Sequence, residues 1–353
     1  MSEPRYAAGL ICLNEERHIQ KWLEVHYDFY DVIAICEGAD AHFPRDAVTP
    51  QGLSTDRTAE IILSFPDPDD KIKFIQHGWA PLGGCEKIGE GEGKCILRDR
   101  CAQYLNEIKF DGIYIHADAD EFVPREVQPQ LKKWVADVTE KWRAPRTEKA
   151  YLTDEGYVAE AELSPETIRA ILGSGVKDPV LETHYPAGRI HAFQFPTVHL
   201  WHDTKHLIVG GYFDIEHTRV FRWQIGSRYE YNGRKSHNWP TAPSGKPLLK
   251  HGSHSETRSF DMVPVDGVSV VTKPEELRGV NHTSKPYILH YGFTRSESEM
   301  RERLDYYKAR GEEVSRPDTV ADRESWFDDE VRKARDLHVF DWCGPDPMEE
   351  SNA

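Results

Sequence analysis

The sequence predicts an α/β protein, an open and mostly parallel sheet with helices on both faces, followed by a mixed strand and helix region. Three observations predict it. Up to Phe122, short apolar runs that suit buried strands alternate with stretches of helical periodicity. The fourth such run, GIYIHADADEF (Gly112 to Phe122), ends in three carboxylates within four positions, Asp118, Asp120 and Glu121. From His191 onward the composition turns aromatic and histidine-rich in strand-like segments.

YAAGLIC (Tyr6 to Cys12) reads as the first strand. Asn14 then stands as the cap of a helix with Ile19, Trp22, Leu23, Tyr27 and Tyr30 on its apolar face. VIAIC (Val32 to Cys36) is a second buried strand ending on Glu37 and Gly38, and Ser54, Thr55 or Asp56 opens the next helix. KIKFIQ (Lys71 to Gln76) is a third strand. A glycine-rich loop from Gly83 to Gly93 leads into a helix burying Cys95, Leu97, Cys101, Tyr104, Leu105 and Ile108, and so to the fourth strand. Ligands of such sheets bind beyond the carboxyl ends of the strands. Those ends carry Asn14 and Glu15, then Glu37, then His77, then Asp118 to Glu121. Carboxylates so crowded repel one another unless a cation joins them, and a divalent ion carrying a phosphorylated ligand is the natural occupant; the other reading is a solvated acidic turn ahead of a helix N-terminus. No GxGxxG follows the first strand and no GxxxxGK[ST] occurs, so neither a dinucleotide cradle nor a P-loop is supported.

Composition narrows the classes. The 353 residues are 39% hydrophobic and 11% aromatic, which suits a globular protein with a large core. A net charge of −16 argues against a general grip on nucleic acid or anionic membrane. No apolar run reaches the length of a membrane span, and Met1 to Tyr6 lacks the apolar core of a signal peptide, so the expectation is a cytoplasmic protein. The six cysteines form no CxxC pair and are expected to be reduced thiols.

Taken in order, LNEERHIQKWLEVH, ICEGA, LSTDRTAEII, GKCILRDRCAQYL and IHADADEFV resemble family 2-like glycosyltransferases of bacterial type with the GT-A fold. GSRYEYNGRKSHN and YILHYGFTRSESEMRERLDYYKARGE extend the likeness more thinly to residue 312. The resemblance implies a nucleotide-sugar donor, most readily a UDP-sugar, and an acceptor that is a glycan, a lipid-linked sugar, a protein or a modified base. It implies Mn²⁺ or Mg²⁺ as the metal, hard carboxylate oxygens suiting either and a histidine favouring manganese. Asp118 and Asp120 become the DxD pair, the first meeting the ribose and the second the metal, with Asp118 also counted among the metal ligands. Asn14, Glu15, Glu37, Asp56, Lys94 and Arg98 fall where the family contacts the nucleotide, and His290 where a late histidine returns to the metal. Apart from the resemblance, Asp56 reads equally as a helix cap and Arg98 as half of a surface ion pair.

The implied organisation is a nucleotide-sugar half over 1–143, a helical insertion over 144–190, an acceptor-side and metal-completing region over 191–311, and a C-terminal helix and tail over 312–353. Within it, Glu126 to Trp142 reads as a helix, and Ser164-Pro165-Glu166 starts another that Gly173 stops. Trp201, Trp223 and Trp239 are candidate cleft aromatics. Ser296 and Glu299 form a capping box, Trp326 to Leu337 a last helix, and Asp346 to Ala353 a frayed end. The catalytic base stays open among Asp214, Glu216 and His237, because Asn238 stands where relatives carry an acid. An inverting transfer is the expected outcome. Two rivals differ in kind. A nucleotidyltransferase-like enzyme would use the same acids and release pyrophosphate, although Leu13 to Arg17 is a poor match to its glycine-rich loop. A non-catalytic sugar-binding module would bind without metal.

Overall fold

A computed structural model describes residues 3–40, 43–80, 92–141, 146–153, 156–159, 163–177, 179–185, 192–195, 197–201, 203–209, 217–229, 262–263, 287–294, 338–341 and 346–348. The first half alternates as the sequence predicts: β1 (Arg5–Cys12), α1 (Glu16–His26), β2 (Val32–Glu37), α2 (Thr58–Ser64), β3 (Ile72–Gln76), α3 (Glu92–Glu107), β4 (Gly112–Asp118), β5 (Glu121–Phe122) and α4 (Gln128–Lys141). Then come β6 (Arg146–Thr153), β7 (Gly156–Ala159), α5 (Pro165–Gly173), β8 (Val180–Tyr185), β9 (Ala192–Phe195), β10 (Thr197–Leu200), β11 (His206–Val209), β12 (His217–Trp223), β13 (Met262–Val263), β14 (Ile288–His290) and β15 (His338–Asp341). By its contacts the chain divides into Met1–Lys132 with His191–Ala353, and Lys133–Ile190.

In the larger unit, a seven-stranded sheet has the order β13-β9-β12-β4-β1-β2-β3. Strands β4, β1, β2 and β3 are mutually parallel, and β12 closes antiparallel on β4. Every residue of β2 is buried, which requires cover on both faces. On one face Ala34 and Cys36 meet Leu97 and Cys101 of α3, while Ala7 and Tyr114 join Ala102, Leu105, Phe221 and Trp223. On the other, Tyr6 packs on Phe29 with the rings tilted by 44°, and Lys132 of α4 caps both rings. The tightest fit is at Gly9, where any Cβ would collide with the Tyr114 hydroxyl. A second sheet, of order β15-β11-β10-β14-β5, takes the chain over immediately after β4.

Several expectations are corrected. The 144–190 insertion was expected to be helical. It carries the predicted helix, with Ser164 Oγ accepting from the Thr167 amide at 3.1 Å, but its other elements are the antiparallel sheet β7-β6-β8. Alternation in β6 was hidden by charged residues, and pairing with β7 and β8 settles it. Trp201, just after β10, and Trp223 of β12 are core residues at 3% and 0% exposure, so neither lines a cleft. Asp346 is held, not frayed: it accepts from the Tyr291 hydroxyl at 2.6 Å and the Met348 amide at 3.0 Å. Trp239, the 296–299 capping box and the 326–337 helix lie outside the described residues. Among the described residues no helix is long and apolar enough to cross a membrane.

Candidate active site

The acidic turn lies where the chain leaves one sheet for the other. β4 runs parallel to β1 as far as Asp118, opposite Ile11. After Ala119 and Asp120 the chain enters β5, which pairs antiparallel with β14 so that Glu121 faces His290 and Phe122 faces Leu289. Four backbone groups fix this crossing. The Tyr291 amide donates to the Asp120 carbonyl at 2.8 Å, and the Trp22 indole to the Glu121 carbonyl at 2.9 Å. The Val123 amide donates to His26 Nε2 at 3.0 Å, and Gln128 to the Val123 carbonyl at 3.0 Å. Helix α1 therefore clamps the strand that carries the acids.

Two buried guanidinium groups answer the carboxylates. Arg98 of α3, 1% exposed, places Nη2 at 3.0 Å from Asp118 Oδ1. Arg219 of β12 places Nη2 against Glu121 Oε1 and 3.8 Å from Asp118 Oδ2. Burial by itself raises the Asp118 carboxyl, but Arg98 and Arg219, with Lys94 further off, hold it well below the ordinary carboxylate range. Burial also raises Glu121, and there it prevails over Arg219; with Asp118 and Asp120 adding repulsion, the group is pushed up to about 7. Behind Arg219 the polar chain continues inward. Its Nη1 faces His116 Nε2 at 3.3 Å, and His116 Nδ1 lies 3.1 Å from the Tyr229 hydroxyl, which donates to Tyr114 at 3.3 Å. Because Tyr229 gives its proton to Tyr114, His116 donates through Nδ1 and offers its Nε2 lone pair to Arg219.

Asp120 turns toward the second sheet. Its Oδ2 lies 3.7 Å from His290 Nε2, and His290 Nδ1 lies 2.8 Å from His199 Nδ1. The two histidines are neighbours because β10 and β14 run parallel with His199 paired to His290. Gly292 makes the approach possible: a Cβ there would fall 2.5 Å from His290 Nε2 and 3.2 Å from Asp120 Oδ2. A separation of 3.7 Å is too long for a hydrogen bond. It suits one carboxylate oxygen and one imidazole nitrogen sharing an ion at about 2 Å from each. Among the described residues no three His, Cys, Asp or Glu side chains form a complete cage.

The other predicted residues take different places. Asn14 does not cap α1; it lies in the left-handed region at φ 53°, its Oδ1 accepting from the Thr55 amide and its Nδ2 donating to the Ala47 carbonyl. The capping falls to the 54–58 loop, where Asp56 Oδ2 accepts from the Glu16 amide at 2.9 Å and Thr58 Oγ1 from the Glu15 amide at 2.7 Å. The other Asp56 oxygen accepts from the Thr58 amide and hydroxyl, so this carboxylate clamps the starts of α1 and α2 together. Glu15 pairs with His18 at 3.0 Å. Glu37 is fully buried, accepting from the Ser54 amide at 3.0 Å and Gln76 at 2.9 Å, and so anchors that loop to the sheet. Lys94, half-buried, sits one turn before Arg98 on α3. Arg98 itself faces inward to Asp118, so the surface ion pair is corrected. Asp214, Glu216 and His237 lie outside the described residues.

Sequence reasoning missed Arg219 and His199. Each is a polar residue buried in a strand, at 8% and 3% exposure, and its strand holds other polar residues as well, so the chain alone offered no clear signal.

Neither a protein-family model nor a curated protein sequence matches the chain. A crystal structure of S. aureus TarS 1-349 is similar over 38% of this chain and 32% of that one, at 13% identity and a TM-score of 0.24. A second crystal structure of S. aureus TarS is similar over 38% of this chain and 20% of that one, at 12% identity and a TM-score of 0.23. The chain thus spans about a third and a fifth of those two proteins. Likeness of that degree fixes neither fold family nor activity.

Proposed function

We propose that this chain is a metal-dependent glycosyltransferase of GT-A type, moving a sugar from a UDP-sugar to an acceptor hydroxyl. The observation that carries the reading is the pair Asp120 and His290, one from the turn after β4 and the other from a strand 170 residues later, whose Oδ2 and Nε2 stand 3.7 Å apart. The ordered motifs from Leu13 to Val123 support the same reading. Asp120 and His290 would hold Mn²⁺ or Mg²⁺, which supplies neutralisation of the charge that develops on a departing diphosphate. Asp118, which Arg98 and Arg219 flank, would accept from a ribose hydroxyl. Arg98 and Arg219 have a second effect: they keep the acid cluster folded when no cation is bound. The acceptor's proton goes to a base among Asp214, Glu216 and His237, and an inverting transfer follows from direct attack opposite the leaving group.

The test is UDP release from a panel of UDP-sugars by purified protein, with Mn²⁺ and with chelator, for the wild type and Asp120→Asn. Turnover that needs metal and is lost in Asp120→Asn supports the reading. Pyrophosphate release would replace it with nucleotidyl transfer, and metal-independent binding without turnover with a sugar-binding module.

A further inference from the structure

We propose that His199 is a positioning residue that sets which nitrogen of His290 is offered to a divalent ion. The inference rests on the metal site proposed above and goes beyond it, because His199 does not reach Asp120 and belongs to none of the motifs quoted.

The argument turns on one proton. Two imidazole Nδ1 atoms 2.8 Å apart repel if both bear lone pairs and collide if both bear hydrogen, so one donates and the other accepts. If His199 donated, His290 Nδ1 would be the acceptor and His290 Nε2 would carry the hydrogen. Its ring would then point an N–H at Asp120 Oδ2, forming a plain polar contact with no lone pair for a metal. An ion shared with Asp120 Oδ2, 3.7 Å away, therefore requires the opposite assignment. With His290 donating, Nδ1–H is satisfied by His199 and the Nε2 lone pair faces the gap beside Asp120. An imidazole metal ligand is commonly held this way, its tautomer fixed by a partner on the other nitrogen.

The surroundings hold both rings still. His199 is 3% exposed and meets His290 edge to face, with centroids 4.9 Å apart at 89°. Phe293 packs on both, 5.7 Å from His199 and 5.4 Å from His290, and Trp201 backs Phe293 at 6.0 Å. The parallel register of β10 and β14 fixes the spacing of the two backbones. A side chain with no acceptor at 199 would remove the hydrogen bond that holds the proton on His290 Nδ1.

The experiment measures Mn²⁺ affinity of the full-length chain from the electron paramagnetic resonance of free Mn²⁺, alongside the melting temperature without metal. His199→Leu, similar in volume but without an acceptor, is expected to weaken binding by about tenfold or more. His199→Asn, whose Oδ1 can take the place of Nδ1, is expected to stay close to wild type, although both variants melt alike without metal. Leucine binding as well as histidine, or asparagine binding as poorly as leucine, would overturn the assignment. His290→Ala and Asp120→Asn separate the two levels. If they bind Mn²⁺ like wild type, the metal site itself fails; if they lose it while His199→Leu keeps it, only the role of His199 does. On the wild type, ¹⁵N-histidine spectra are expected to show His290 protonated at Nδ1 and His199 at Nε2, and the reverse pattern refutes the proposal without any variant.

Discussion

His26 makes the clamp on the acidic turn sensitive to acid, and the size of the effect follows from its surroundings. The ring is buried between Trp22, Tyr30 and Phe122, with Nδ1 at 2.8 Å from the Trp22 carbonyl and Nε2 accepting from the Val123 amide. Burial pushes its pKa from the ordinary 6.5 down to about 4. Above pH 6.5 neither the folded nor the unfolded chain binds this proton, and the contribution to stability is complete. As the pH falls through 6.5 the unfolded chain takes up a proton that the folded chain refuses, so stability declines until the folded ring titrates near pH 4. At 1.36 kcal/mol per pKa unit the full loss is about 3 kcal/mol, with about 2 kcal/mol gone by pH 5. Urea unfolding followed by tryptophan fluorescence between pH 7.5 and 4 measures it against His26→Leu. At neutral pH the variant is expected to be less stable by about 1–3 kcal/mol, because the Val123 amide is left buried without its acceptor. Toward pH 4 the two curves should converge. Curves that fall in parallel would refute the argument, since both would then lose stability to groups other than His26.

Three further outcomes follow from the same geometry. Asp56→Ala removes the acceptor for the amides of Glu16 and Thr58 and should cost about 1–2 kcal/mol in chemical denaturation, with Asp56→Asn losing less because one acceptor oxygen survives. Arg219→Met leaves Glu121 buried without its guanidinium and should destabilise by about 3–5 kcal/mol; adding Glu121→Leu should recover part of that, measured as a double-mutant cycle. Gly292→Ala drives a methyl group into the His290 ring and should weaken Mn²⁺ binding by about tenfold, read by the same resonance titration, while the melting temperature moves by only a few degrees.

The sequence by itself determined the parts that depend on local pattern. Alternating apolar runs located β1 to β4 and the helices between them, because burial on both faces demands continuous apolar strands and one-sided burial demands helical spacing. It also placed Asp118, Asp120 and Glu121 at a strand's carboxyl end, since three like charges so close are conspicuous in one dimension. Tertiary structure decided which partners these acids receive. The pairing of β12 with β4 brings Arg219 to Glu121, and the pairing of β14 with β5 and β10 brings His290 to Asp120 and His199 to His290. Strand register across 91 residues, as between His199 and His290, or 98, as between Glu121 and Arg219, leaves no periodic trace in the chain, so those neighbours were not legible. The same limit explains Asp56 and Glu37. A carboxylate at a strand end or helix start looks the same in sequence whether it faces a ligand or a backbone amide, and only the folded loop at 54–58 turns both inward.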